Sequence, residues 1–152
     1  SEVIDGAQLG YMFSAVLKNK GYRALADLAQ LPIPYQGTGV LVRRSFIASS
    51  PDTVEGVLKG LVEAIGFTQD PGNKPPVMKS LARGLRLPKV EDAAEGYQSL
   101  TNLYERRIYP NIEGLRNVIR LLGAGNEKIR RLKAEEMVDE RFVRKLEKEG
   151  RF

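Results

Sequence analysis

The chain has 152 residues, 42% of them hydrophobic, with a net charge of +5 and a pI of about 9.5. It contains neither cysteine nor histidine, which excludes disulfides, cysteine nucleophiles, histidine general bases and every metal site built on these two residues. No apolar run approaches the ~18 residues of a membrane-spanning helix. The length suits one domain with a hydrophobic core, or one part of a larger domain.

The first 31 residues predict short strands around one short helix. Residues 3–9 have the character of a strand end that Gly10 stops. The segment YMFSAVLKNK follows with apolar residues at helical spacing, and Gly21 suits the position after a helix. In residues 22–31, the alternation of side chains does not decide clearly between a helix and a strand. We interpret this segment as a strand followed by a turn.

The segment TGVLVRRSFI, residues 38–47, is the clearest strand signal in the chain. It is rich in Val, Leu, Phe and Ile and is preceded by two closely spaced glycines. Ser50, Pro51 and Asp52 then predict the start of a helix, because they suit the N-cap, the first helical position and the positive end of the helix dipole. The apolar residues that follow predict a buried helical stripe: Val54, Val57, Leu58, Leu61, Val62 and Ile65.

From Val77 onward the sequence predicts only helices. Their apolar spacing places one helix before Pro88, a second over residues 93–104, a third over 112–122 and a last one over about 139–149. A few strands followed by a long helical part is unusual for a complete α/β domain, in which the two elements alternate. We therefore expect a helix-rich α/β fold that forms the second part of a larger protein.

The excess of positive charge lies in the second half of the chain. Residues 1–76 carry equal numbers of acidic and basic side chains. Basic clusters occur at Arg43-Arg44, Arg106-Arg107 and Lys128–Lys133, and phosphate contact is one interpretation of them. Acidic residues accompany these clusters and aromatic residues are not interleaved, so solvated surfaces are the simpler interpretation. We predict no nucleic-acid partner.

Three stretches resemble the C-terminal portion of a type 2 periplasmic substrate-binding protein of an ABC importer. They are IDGAQLGYMFSAVLKNKGYRALADL, YQGTGVLVRRSFIASSPDTVEGVLKGLVEAI and VDERFVRKLEKEGRF. The resemblance is to the group that binds nitrate, sulfonates, taurine or thiamine-pyrimidine precursors. The family often has one or two prolines where this chain has Tyr11-Met12.

The resemblance implies a partial type 2 periplasmic-binding-protein fold from which the family's N-terminal half is absent. Residues 1–36 would end the second lobe, and residues 37–152 would form the crossover strand and the helical C-terminal part. We expect the isolated chain to bind ligand weakly or not at all. Unpaired strand edges and an exposed apolar face should also promote self-association.

The function implied by the resemblance is that of the solute-binding component of an ABC transporter. Such a component captures a small molecule between two lobes, closes about a hinge and delivers the solute to a membrane permease. The implied partners are therefore a small-molecule ligand and an ABC permease. The implied location is periplasmic or extracytoplasmic, where the full-length protein can carry a lipid anchor.

The candidate ligand contacts lie in two segments. In YQGTG, Gly37 allows backbone amides to approach a small polar or anionic group, Tyr35 stacks on it, and Gln36 or Thr38 hydrogen-bonds to it. The alternative is an ordinary turn at the entrance of a strand.

The second segment is LGYMF, in which a helix beginning after Gly10 would hold an anion at its N-terminus, with Tyr11 facing the cleft. The alternative is that its aromatic side chains belong to the core.

Two other functions are compatible with the same resemblance. A pyrimidine-precursor synthase-like enzyme depends on histidine and cysteine chemistry, which this sequence lacks. A ligand-sensing domain of a transcription regulator should follow a DNA-binding helix-turn-helix, and none is visible. Adjacent carboxylates such as Glu135-Glu136 point apart on a helix, so they form no catalytic pair. We predict a non-enzymatic protein without a cofactor or a metal ion.

Overall fold

The computed structural model of the chain describes residues 4–10, 13–14, 17–18, 20–27 and 31–152. The helices over residues 31–152 are, in chain order, α1 (Arg44–Ser49), α2 (Pro51–Gln69), α3 (Lys74–Leu85), α4 (Ala94–Leu103), α5 (Ile112–Gly123), α6 (Glu127–Arg130), α7 (Ala134–Met137) and α8 (Arg141–Lys148). Single 3₁₀ turns at Pro71–Asn73 and Glu91–Ala93 precede α3 and α4. No helix in the described ranges is long and apolar enough to cross a membrane.

The chain divides into two compact units. Unit 1 contains the described residues of Ser1–Gln30 together with Phe67–Tyr104, and unit 2 contains Leu31–Gly66 together with Glu105–Phe152. The resemblance implies a different division, at residue 36, between parts of the lobes of a larger protein. That division stays a prediction.

The predicted α/β fold is wrong. Over the described residues there is no strand and no sheet, so the partial periplasmic-binding-protein fold is not formed either. Residues 38–43 have no regular secondary structure, and residues 44–47 belong to α1 instead of continuing a strand. The reason is physical: a strand exists only when its N–H and C=O groups pair with a neighbour, and a β-branched composition supplies no neighbour.

The predicted helices are confirmed over most of their length. Helix α2 begins at Pro51 with Asp52 in its first turn, as its start signal indicates. Helices α5 and α8 match the predicted spans within three residues at each end. Helix α3 begins at Lys74, earlier than predicted, because two prolines are compatible with its first turn. The four-residue helices α6 and α7 are too short for apolar periodicity to reveal.

The core of unit 2 forms where α8 packs on α2. Leu146 has no exposed surface and lies against Val54, Leu58 and Val62. These three residues are four positions apart, so the buried stripe of α2 is narrower than predicted, and Val57 and Leu61 are exposed. The cluster is completed by partly buried apolar side chains from other parts of the unit: Ile47, Ile108, Phe142 and Phe152.

Unit 1 packs α3 against α4. Its buried side chains include Val77 and Ala82 from α3, and Tyr97 from α4. The ammonium group of Lys74 lies 5.6 Å from the centre of the Tyr97 ring, which is within cation–π range. Gln69 donates a hydrogen bond of 2.6 Å to the carbonyl of Tyr104 and so joins the two ends of the 67–104 segment.

Charged side chains surround the contact between α2 and α8. Glu55 accepts from the ammonium groups of Lys145, at 2.6 Å, and of Lys59, at 2.7 Å. Lys59 also lies 3.5 Å from Glu149. The hydrogen bond from Lys145, followed by that from Lys59, lowers the pKa of the Glu55 carboxyl below its ordinary value of 4.5. Glu55 therefore stays charged at pH values where an isolated glutamate is protonated.

This network predicts an acid-sensitive core in unit 2. Because the pKa of Glu55 is lower in the folded protein, its contribution to stability is full above about pH 4.5 and is lost as the pH falls through the folded value. We expect the unfolding temperature of Glu55→Gln to decline less steeply below pH 4.5 than that of the wild type. Circular dichroism melts at a series of pH values measure this. The matched control is Glu63→Gln on the same helix, whose nearest cation, Arg151, is 4.0 Å away. The prediction would be contradicted if the unfolding temperatures of the wild type and of Glu55→Gln fell equally steeply with decreasing pH.

Residues 39–42 of unit 2, which have no regular secondary structure, expose apolar side chains and unpaired backbone. Leu41 is 93% exposed, with Val40 and Val42 beside it, and the backbone of these residues has no hydrogen-bond partner among the described residues. Such a segment can pair with the same segment of a second copy. We expect the apparent mass of the chain in sedimentation to rise with concentration, and Leu41→Asp to reduce this rise. The control is Leu25→Asp in unit 1, where the side chain is 87% exposed. Equal effects of the two substitutions, or a monomer throughout, would contradict the prediction.

Candidate functional site

The residues 34–39, here called the Tyr35 segment, are held against helix α5 by hydrogen bonds. The side-chain amide of Asn117 donates to the carbonyl of Pro34 at 2.9 Å. The backbone N–H of Asn111 donates to the side-chain oxygen of Gln36 at 2.6 Å. The nitrogen of the same Gln36 amide donates to the carbonyl of Thr38. The segment has no regular secondary structure, but hydrogen bonds to residues at the start of α5 and within it hold both Pro34 and Gln36 in place.

Gly114 allows this close approach. A Cβ atom at this position would lie 2.7 Å from the backbone nitrogen of Gln36 and 2.7 Å from the carbonyl carbon of Tyr35. Both neighbours are main-chain atoms, which cannot move aside as the end of a side chain can. The segment therefore touches α5 backbone to backbone, and only glycine permits that contact.

Asn111 links the segment to the start of the helix. Its side-chain oxygen accepts from the backbone N–H of Gly114 at 2.8 Å, which is the ordinary N-cap interaction. Its own backbone N–H donates to Gln36. One residue therefore caps α5 and positions the Tyr35 segment, so the segment's geometry depends on an intact helix N-terminus.

The predicted site residues of this segment differ in their surroundings. The ring of Tyr35 is 61% exposed, and Gly37 and Thr38 are exposed as well. Gln36 is half-buried, and its side-chain oxygen and one N–H form hydrogen bonds within the chain, which leaves its second N–H for another partner. The structure thus brings these four together as one surface feature, with Tyr35 outward and Gln36 inward. Their role as ligand contacts stays a prediction.

The second predicted segment lies in unit 1. The carbonyl of Gly10 accepts from the backbone N–H groups of Phe13, at 3.0 Å, and Ser14, at 3.1 Å. Those two N–H groups are engaged in this turn instead of pointing to an external anion. Tyr11 lies outside the described residues, so its predicted role stays a prediction.

Sequence reasoning missed the supporting residues on α5. Asn111 carries a local signal, since asparagine is a preferred N-cap before an apolar-periodic segment. Gly114 and Asn117 carry none, because their partners lie about 80 positions earlier in the chain. Among the described residues, no group of three or more acidic side chains could hold a metal ion.

Comparison of this chain with protein-family models, with curated proteins and with solved structures gave no match. The family resemblance therefore rests on the three stretches of sequence alone.

Gly114 provides a direct test of how the Tyr35 segment is held. Gly114→Ala should destabilise unit 2 by about 1–3 kcal/mol, because the added methyl group meets main-chain atoms at 2.7 Å. It should also shift the amide NMR signals of residues 35–39. The matched control is Gly56→Ala in α2, where a Cβ meets nothing within 4 Å, and alanine should stabilise the helix by about 0.5–1 kcal/mol. Urea unfolding curves measure the change in the free energy of unfolding for both variants. Equal effects of the two substitutions would show that the segment does not rest on Gly114.

Proposed function

We propose that this chain is part of the solute-binding component of an ABC importer, and that the Tyr35 segment contacts the solute. The three sequence stretches that resemble such proteins support the assignment. The proposal places the protein in the periplasm or otherwise outside the cytoplasm, with a membrane permease as its partner. It does not depend on the α/β fold that the same resemblance implied, which is wrong for the described residues.

The observation that carries the proposal is the combination of fixation and exposure in the Tyr35 segment. Three hydrogen bonds and one backbone contact hold it in a single geometry, while the Tyr35 ring remains 61% exposed. An exposed aromatic ring on a fixed loop costs little entropy to engage, since the loop is ordered before the ligand arrives.

The exposed groups select a small ligand with an apolar or planar part and a polar end. Tyr35 supplies a ring face on which the apolar part stacks. The backbone N–H groups of residues 37–39 and the second N–H of Gln36 are donors for oxygen atoms. Sulfonates, small carboxylates and aminopyrimidines combine these features.

Amide NMR spectra of the chain, recorded during titration with taurine, an alkyl sulfonate, acetate and an aminopyrimidine, test the proposal. We expect at least one of these probes to cause saturable shifts centred on residues 35–39. Affinity should be weak, in the millimolar range. Tyr35→Ala should weaken it by about threefold to tenfold, which corresponds to the loss of one aromatic stacking contact.

The matched control is Tyr22→Ala, because Tyr22 is 65% exposed but lies in unit 1. This variant should bind as the wild type does. No saturable shift with any probe, or equal losses in the two variants, would overturn the role of the Tyr35 segment. The import function has a separate test in the genes beside the reading frame, which should encode a permease and an ATPase.

A further inference from the structure

We propose that a second site, a basic groove on the α5–α7 side of unit 2, binds a phosphate monoester. The groove encloses about 390 Å³ and is lined by four cationic side chains and two larger apolar ones: Arg116, Arg120, Arg130, Lys133, Ile119 and Leu132. A single carboxylate, that of Glu135, shares the lining. This site is separate from the Tyr35 segment and does not rest on the proposed function.

The groove is built by a close contact between α5 and α6. A Cβ atom at Gly123 would lie 2.9 Å from the Cα atom of Arg130, so glycine lets α6 turn back against the end of α5. The side chain of Asn126 caps α6 by accepting from the backbone N–H of Lys128 at 3.0 Å. Ala134, which is buried, then begins α7. This turn sets Arg130 and Lys133 around the same space as Arg116 and Arg120.

The four cationic side chains differ in how closely carboxylates already pair with them. Arg116 donates through Nε to Glu135 at 2.8 Å and through a second nitrogen to the same oxygen. Arg130 and Lys133 lie 3.4 and 3.3 Å from exposed carboxylates, at distances and exposures typical of weak surface pairs. Arg120 has no ion-pair partner among the described residues. The groove therefore retains a surplus of positive charge with one uncommitted guanidinium.

Arginine chemistry points to phosphate as the anion. A guanidinium offers a planar fork of N–H donors that matches two oxygens of one phosphate or carboxylate group. One guanidinium without an ion-pair partner, together with two cations in weak surface pairs, favours a dianion over a monoanion, and a phosphate monoester carries nearly two charges at neutral pH. Ile119 and Leu132 provide apolar contact that a bare phosphate would not use.

Phenyl phosphate is the direct probe. Inorganic phosphate and phenol, which represent its two halves, are titrated separately for comparison. We expect saturable amide shifts at residues 116–120 and 130–135, with phenyl phosphate binding more tightly than phosphate and phenol showing no saturation. Arg120→Gln should weaken phenyl phosphate binding by about tenfold, since it removes one charge-assisted contact without breaking an internal pair. The matched control is Lys128→Gln, which removes the same charge from α6 but does not line the groove.

Two further arms identify the source of the phosphate. Flotation with vesicles of phosphatidic acid in phosphatidylcholine, sensitive to Arg120→Gln, would assign the site to a lipid headgroup. Binding of phenyl phosphate without vesicle binding would assign it to a soluble ester. Absence of saturable binding to both probes would overturn the proposal, and so would equal losses in Arg120→Gln and Lys128→Gln. Tighter binding of a single-stranded oligonucleotide, with a steep salt dependence, would replace it with diffuse phosphodiester contact.

Discussion

The packing of Leu146 against α2 is the contact on which unit 2 depends. Helix α8 has eight residues, too few to persist as an isolated helix in water. Its stability must come from the burial of Leu146 among Val54, Leu58 and Val62, about 90 positions earlier in the chain. The ion pair between Lys145 and Glu55 lies at the neighbouring position on each helix and fixes the same register. Loss of this contact would remove the apolar core that the two chain segments of the unit share.

Helix α5 contributes to both candidate sites, and it does so through two glycines. Gly114 admits the backbone of the Tyr35 segment, and Gly123 admits the backbone of Arg130. At each of these two glycines, the approaching backbone occupies the space that a side chain would fill. Glycine lowers helix propensity by about 1 kcal/mol relative to alanine, so the helix gives up local stability at both positions. Tertiary contact offsets that loss only if the approaching segments stay in place, which links the geometry of both sites to the fold of the unit.

The sequence determines the helices far better than it determines the sites. Local rules place α2, α5 and α8, because caps and apolar spacing act within a few residues. The segment before α1 shows where such rules fail. Val40, Leu41 and Val42 have the composition of a strand, but a strand is a property of two segments, and the described residues supply no second one. Likewise, YQGTG indicates a turn or a site, whereas the inward orientation of Gln36 follows from Asn111, 75 positions away.

The two candidate sites differ in the forces that they can use, and this difference separates their roles. The Tyr35 segment presents a ring and backbone donors without a nearby excess of charge, so its interactions act over short distances. In the groove, Arg120 has no ion-pair partner among the described residues, and Arg130 and Lys133 form weak surface pairs. The attraction of these cations extends over roughly the Debye length of about 8 Å at physiological ionic strength. Salt therefore weakens recognition at the groove while leaving stacking on Tyr35 nearly unchanged. The ligand proposed for the first surface is therefore a small molecule with an apolar or planar part and a polar end, and the ligand proposed for the second is a dianion. The two proposals therefore call for two different ligands, because a ring with backbone donors and a set of cationic side chains favour different chemical groups.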